Sequence, residues 1–172
     1  MTKNELRENL TGGDRRSVGD ATLVAEAILR HPDSAKTVVS FLWEDDAILR
    51  SRAAHALKTT TLNNPLIIQP FKKELIQKMS PIEQWEVREQ FCIIITKLDL
   101  EKTEYKKLIA IFQNYLSDKS SIVRTCAMQG MADLAESSES IKTMVLPILI
   151  ELTETGSAAM RARGRKLLNK LK

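Results

Sequence analysis

Four arginines along this chain each stand in the same pattern of apolar and polar positions. Arg50, Arg88, Arg124 and Arg161 follow one another at intervals of 38, 36 and 37 residues. One residue before them come Leu49, Val87, Val123 and Met160. Three residues after come Ala53, Phe91, Ala127 and Gly164; seven after, Leu57, Ile95, Met131 and Leu168; ten after, Thr60, Leu98, Leu134 and Leu171. Offsets of −1, +3, +7 and +10 fall on one side of an α-helix, so each arginine marks a helix with the same buried stripe. A second apolar stripe precedes each one. The first is Ala35, Val38, Val39 and Leu42; the second Ile68, Phe71, Leu75 and Met79. The third is Tyr105, Leu108, Ile109, Phe112 and Leu116; the fourth Ile141, Met144, Val145, Ile148 and Leu152. The pattern predicts four helix pairs over 34–172.

The punctuation between stripes agrees. Asn64-Pro65 and Ser80-Pro81-Ile82-Glu83 read as helix starts, the second as a capping box with proline at the first helical position. Asp46, Ser120 or Ser121, and Thr155 or Ser157 are the remaining caps. Pro147 falls inside a helical pattern, where it predicts a kink. Residues 1–33 form an N-terminal helical cap. A helix near Lys3 to Leu10 is followed by the turn Gly12-Gly13-Asp14-Arg15-Arg16 and a helix from about Ser17 to Arg30, with Ser17 to Asp20 as its capping box. A terminal segment of this kind shields the open end of a helical stack. No run alternates with period two for long enough to make a strand, so the fold class is all-α in a single domain, 1–172.

Composition sharpens this only slightly. Aromatic residues are 5% and hydrophobic residues 43% of 172, the balance of helices packed on aliphatic stripes. Net charge is +4. Six cations and no acid lie in Arg161 to Lys172, leaving 20 basic and 22 acidic residues elsewhere, so the basicity is a C-terminal property. Cys92 and Cys126, far apart and within helical patterns, suit a reducing compartment. The charged opening without an apolar signal stretch, and apolar runs far too short for a bilayer, point to a cytoplasmic protein that does not engage membranes.

The arginine columns resemble those of the HEAT and armadillo-like families, whose repeat is a helix pair with an Asp in the turn and a Val-Arg early in the second helix. Asp45-Asp46, Leu49-Arg50, Ala53-Ala54, Ala56 and Leu57 match best. Asp118, Val123-Arg124, Ala127 and Met131 also match. The second unit has no turn Asp and carries Phe91 at the small position; the fourth has a glycine-containing turn and Gly164. The chain looks like the short HEAT-like proteins of bacteria. The resemblance implies a right-handed α-solenoid of about four helix pairs that binds a macromolecule. It implies further that Arg50, Arg88, Arg124 and Arg161 are structural, with Asp46–Arg50 and Asp118–Arg124 tying units together.

Three features bear on function. Arg15 and Arg16, in a Gly-rich turn leading into a helix N-terminus, are anion-binding candidates. The turn lacks the Gly-Lys-Ser/Thr ending of a P-loop. Arg163 and Arg165 on the basic last helix are also anion-binding candidates and suit a phosphate backbone. The third feature is the ridge five residues after the repeat arginines, His55, Ile93, Gln129 and Lys166, with Arg52 and Gln90 nearby. As the concave face of a solenoid, it is where a partner protein docks. Trp43 and Trp85, near helix junctions, read as core. Two histidines and two distant cysteines give no zinc spacing, no cofactor motif stands out, and no catalytic motif organises Ser, His or Asp. The sequence therefore reads as a non-enzymatic protein–protein interaction module, with nucleic-acid binding as the alternative. The partner's identity is not written in it.

Overall fold

The computed structural model describes residues 1–14 and 17–171, all helices and connections with no strand among them. It divides into two compact units, Met1–Asp99 and Leu100–Lys172.

Unit 1 begins with α1 (Lys3–Leu10), α2 (Ala21–Arg30), α3 (Ser34–Phe41) and α4 (Ala47–Asn63). Thr2 caps α1 through a full capping box with Glu5. Leu6 and Leu10 are buried where α1 packs on α2, α3 and α4. Arg7 pairs with Glu44 at 2.6 Å, closing α1 onto the α3–α4 turn. Asp46 caps α4 by accepting from the Ile48 and Leu49 amides at 2.9 and 3.0 Å. Asn64 does the same for α5 (Pro65–Ile68), with proline at its first position. The helical path then tightens to a 3-10 turn at Gln69–Phe71, passes through α6 (Lys72–Glu74), and widens to a π turn at Leu75–Met79. Ser80 ends that π turn: its amide bonds to the Leu75 carbonyl and its hydroxyl to the Ile76 carbonyl.

Ser80-Pro81-Ile82-Glu83 is therefore not a capping box, and α7 starts later, at Trp85, and runs to Ile95. The delay has a cause in the fold. Arg88 Nε donates to the Ile82 carbonyl, and the Gln84 side chain donates to the Ala47 carbonyl while accepting from Arg50. These bonds hold Gln84 extended, ahead of the helix. Ser17 to Asp20 does not form a capping box either. The Ser17 hydroxyl accepts from the Gly19 amide, and Asp20 makes no side-chain cap bond to α2. The end of α7 is pinned to the α5–α6 region, where Gln69 and Asp99 exchange amide hydrogen bonds of 3.0 and 2.8 Å and Lys72 donates to the Asp99 carbonyl.

Unit 2 contains α8 (Lys102–Tyr115), α9 (Ser121–Glu136), α10 (Glu139–Thr155) and α11 (Ala158–Leu171). Here α9 packs against α8, α10 and α11. Ser120 caps α9 and Ser157 caps α11. Helix α10 runs unbroken through Pro147, which lies on its exposed side. Gly130 of α9 allows close packing, because a Cβ there would sit 2.7 Å from the Phe112 ring of α8.

Both units follow the register read from the arginines. All sixteen stripe positions of α4, α7, α9 and α11 are buried except Leu168, which is half-buried. Each fully buried Leu, Ile, Val, Phe or Met contributes roughly 1.5–3 kcal/mol of hydrophobic stabilisation. Each repeat arginine turns back on the loop before its own helix. Arg50 donates to the Glu44 carbonyl, Arg88 to Ile82, Arg124 to Asp118, and Arg161 to Gly156. The bond is to a main-chain carbonyl five or six residues upstream. The family resemblance implied a tie through the Asp carboxylate instead. The Asp46 carboxylate is spent on its helix start, and the Asp118 carboxylate accepts from the Ser120 amide. No helix among the described residues is long and apolar enough to cross a membrane. Neither Cys92 nor Cys126 is in a disulfide.

Candidate functional site

An open cleft of about 590 Å³ lies in unit 1 along α4 and α7, rimmed by Asp14, Ser17 and Val18 of the α1–α2 loop. From α4 it receives Ser51, Arg52, His55 and Lys58; from α7, Trp85, Glu86, Glu89, Gln90 and Ile93. Packing of α4 on α7 through their arginine-register stripes turns the opposite residues of both helices toward this space. The four ridge residues expected in unit 1 (Arg52, His55, Gln90 and Ile93) therefore meet in one place.

Their chemistry differs from a simple solvated ridge. Arg52 is 4% exposed and is not a free cation. Its guanidinium donates to the carbonyls of Thr11, Asp14 and Ser17, each at 3.1 Å, and so ties the α1–α2 loop to α4. Gly19, at φ +52, makes room for it, since a Cβ there would lie 2.8 Å from the guanidinium. Gln90 is also buried, 7% exposed, and its Oε1 has no hydrogen-bond partner. A buried acceptor left unpaired costs about 1–3 kcal/mol. Ile93 is half-buried.

Two half-buried groups have shifted acidities. Burial lowers the His55 pKa below its ordinary 6.5, and the Lys58 charge adds to the effect. Burial raises the Glu89 pKa above 4.5; Lys58 opposes the rise and Glu86 reinforces it. His55 is thus neutral at neutral pH.

Trp85 is 38% exposed at the cleft, a correction to its reading as core. Trp43 is half-buried with Lys78 Nζ 5.5 Å from its ring centroid. The sequence reading missed Trp85, Glu86, Glu89 and Lys58. The signal for α7 was present: offsets −3, −2, +1, +2 and +5 from Arg88 form one continuous helical face, and only +2 and +5 were used.

The other expected site residues lie elsewhere. Gln129 Nε2 donates to Asp133 at 2.8 Å, and its Oε1 accepts from Arg163 at 3.1 Å. Lys166 and Arg165 are exposed on α11. Arg15 and Arg16 lie outside the described residues. Among the described residues no group of three His, Cys, Asp or Glu side chains could hold a metal. No protein-family model matches the chain, and no curated protein or solved structure matches it significantly.

Proposed function

We propose that the chain is a non-enzymatic, cytoplasmic interaction module of the HEAT-like kind, its helix pairs stacked as a right-handed α-solenoid, which docks a segment of another protein in the α4–α7 cleft. The observation that carries the docking reading is the unpartnered, buried Gln90 Oε1 in an open cleft beside the exposed Trp85. Tryptophan is among the residues most enriched at the energetic centres of protein contacts. The HEAT-like reading is supported by the four arginine-to-loop bonds in register.

His55 and Glu89, with pKa values moved in opposite directions, are also the kind of pair that acid–base chemistry uses. The breadth and openness of the cleft to water favour docking over chemistry.

Nucleic-acid binding is favoured by one observation, the exposed Arg165 and Lys166 on α11. It is weakened because Lys170 on the same helix pairs with Glu136 and Asp133, which place negative charge among the cations.

The test is selection of peptides from a displayed random library on the immobilised protein, with bound sequences then titrated against wild type and Trp85→Ala. Docking in the cleft predicts peptides whose affinity falls about tenfold or more in the variant while its denaturation midpoint stays unchanged. If the library yields no peptide that depends on Trp85, and salt-sensitive capture of DNA or RNA persists instead, the cleft reading fails and the α11 reading replaces it.

A further inference from the structure

Unit 2 has a cleft of its own, of about 500 Å³, which the docking reading does not use. The first turns of α8 supply Lys102, Tyr105 and Lys106 to it, and the passage from α9 into α10 supplies Ser137, Ser138 and Ser140. Every charged residue that lines it is a lysine. Lys102 and Lys106 stand four apart on one side of α8, where like charges repel. Both are exposed, and among the described residues neither meets a carboxylate. The carboxylates adjacent in sequence do not neutralise them. Glu101 and Glu104 each accept a backbone amide in the α8 capping box, Glu136 pairs with Lys170, and Glu139 is exposed without lining the cleft. Hydroxyl donors surround the two cations. The Ser138 and Ser140 oxygens lie 3.0 Å apart, a bond that uses one hydroxyl hydrogen and leaves the other to donate outward. Ser137 and the adjoining Thr103 are exposed. The half-buried Tyr105 gives the wall an apolar part.

We infer that this cleft binds a phosphate monoester carried on a small apolar body, the phosphate held by Lys102, Lys106 and the serine hydroxyls and the body lying against Tyr105. The donor set selects the anion. A carboxylate is planar and is met best by the fork of an arginine, and no arginine lines the cleft. A phosphate monoester carries about −1.5 to −2 charges at neutral pH and three strong acceptor oxygens. Those oxygens point in different directions, so two compact ammonium groups and several hydroxyls serve them together. The size of the cleft selects the body. It falls within the roughly 300–1,000 Å³ of small-molecule sites and is larger than a phosphate alone would fill. A free phosphorylated compound and a phosphorylated aromatic side chain of a protein present this same chemistry.

The experiment titrates the full chain, labelled with nitrogen-15, with phenyl phosphate, inorganic phosphate and benzoate, and follows backbone amide shifts. Phenyl phosphate is expected to bind in the millimolar range and to move the amides of 102–106 and 137–141 most. Inorganic phosphate lacks the body and benzoate lacks the tetrahedral head, so each should bind at least about fivefold more weakly. Lys102→Gln and Lys106→Gln should each weaken phenyl phosphate by about fivefold, as expected for loss of one charge-assisted contact near water. Lys107→Gln removes the next exposed lysine of α8, which does not line the cleft, and should change binding less than about twofold. All three positions are exposed, so the variants keep the fold. A capped tripeptide, acetyl-Gly-phosphotyrosyl-Gly-amide, distinguishes the sources: tighter binding than phenyl phosphate assigns the phosphate to a protein partner, weaker binding to a free compound. Four results overturn the inference: no binding of phenyl phosphate, shifts centred on α11, equal losses for Lys106→Gln and Lys107→Gln, or benzoate or inorganic phosphate binding as tightly as phenyl phosphate.

Discussion

Units 1 and 2 place equivalent residues on equivalent ridges and use them differently. Two residues after the repeat arginines stand Arg52 and Gln90 in unit 1, and Cys126 and Arg163 in unit 2; five after stand His55 and Ile93, and Gln129 and Lys166. In unit 2 the polar groups between α9 and α11 satisfy one another. Gln129 links Asp133 to Arg163, and Lys170 pairs with Glu136. In unit 1 Arg52 is withdrawn to hold a loop, the buried Gln90 Oε1 has no donor, and the Glu89 carboxylate is half-buried. A shared helical frame settles which residues reach a ridge. It does not settle whether the ridge closes on itself or remains receptive, which depends on how donors and acceptors balance locally.

Removing the Arg52 guanidinium gives the largest contrast. Arg52→Met leaves the Thr11, Asp14 and Ser17 carbonyls without their donor and releases the loop at the cleft rim. The expected loss is about 3 kcal/mol, because several hydrogen bonds from one buried charge go together. The matching change in unit 2, Arg163→Met, removes one exposed bond and should cost less than about 0.5 kcal/mol. Urea denaturation of the full chain measures both. Equal losses would show that the two ridges are alike and that the burial of Arg52 carries no weight.

Gly130→Ala tests the packing of unit 2 in turn. The added methyl meets the Phe112 ring at 2.7 to 2.9 Å, and that ring is fully buried, so it has little room to move. Overpacking of this kind costs about 1–3 kcal/mol. The double variant Gly130→Ala, Phe112→Leu should recover part of the loss by making room for the methyl. A single variant as stable as wild type would mean that α8 and α9 are looser than their contact suggests.

The helices were legible because their information is periodic. Four stripes at fixed offsets from an arginine, with Asp46, Asn64, Ser120 and Ser157 at the starts, located α4, α5, α9 and α11 and their buried sides. The start of α7 was misread because its determinant is distant. Gln84 is held extended by Ala47 and Arg50, on another helix pair, and Ser80 serves the π turn behind it. The site was half legible for the same reason. Spacing showed that Arg52, His55, Gln90 and Ile93 share a ridge. No local rule shows that the first belongs to a loop 35 or more residues away, or that Trp85, two residues before the buried stripe begins at Val87, faces outward.

A smaller difference is expected in pH dependence. Both histidines lie in unit 1. The folded-state pKa of His55 is below 6.5, so as pH falls through 6.5 the unfolded chain takes up the proton first and stability declines until the folded pKa is reached. Glu89 works the other way. Its folded pKa is above 4.5, so its protonation as pH falls toward 4.5 returns some stability. The groups around both are Asp14 of the loop, Arg52 and Lys58 of α4, and Glu86 of α7. Between pH 8 and the His55 transition, wild type should lose urea stability that His55→Gln does not lose. Parallel curves for the two proteins would remove His55 from the account.

The smallest effect belongs to the most conspicuous ion pair of unit 2. Lys170 Nζ lies 2.5 Å from Glu136 and 3.7 Å from Asp133, and the pairing raises the Lys170 pKa through the Glu136 hydrogen bond first. Yet the Lys170 side chain is 52% exposed, and water and salt screen most of the attraction. Lys170→Met should therefore change stability by no more than about 0.5 kcal/mol, and less at high salt. Its value lies in what it does to the comparison between units. If it leaves stability unchanged but gains affinity for a cationic peptide on unit 2, then Asp133 and Glu136 form a receptive acidic surface once uncovered. The unit 2 ridge would then be one that an internal lysine, Lys170, keeps covered from within the chain.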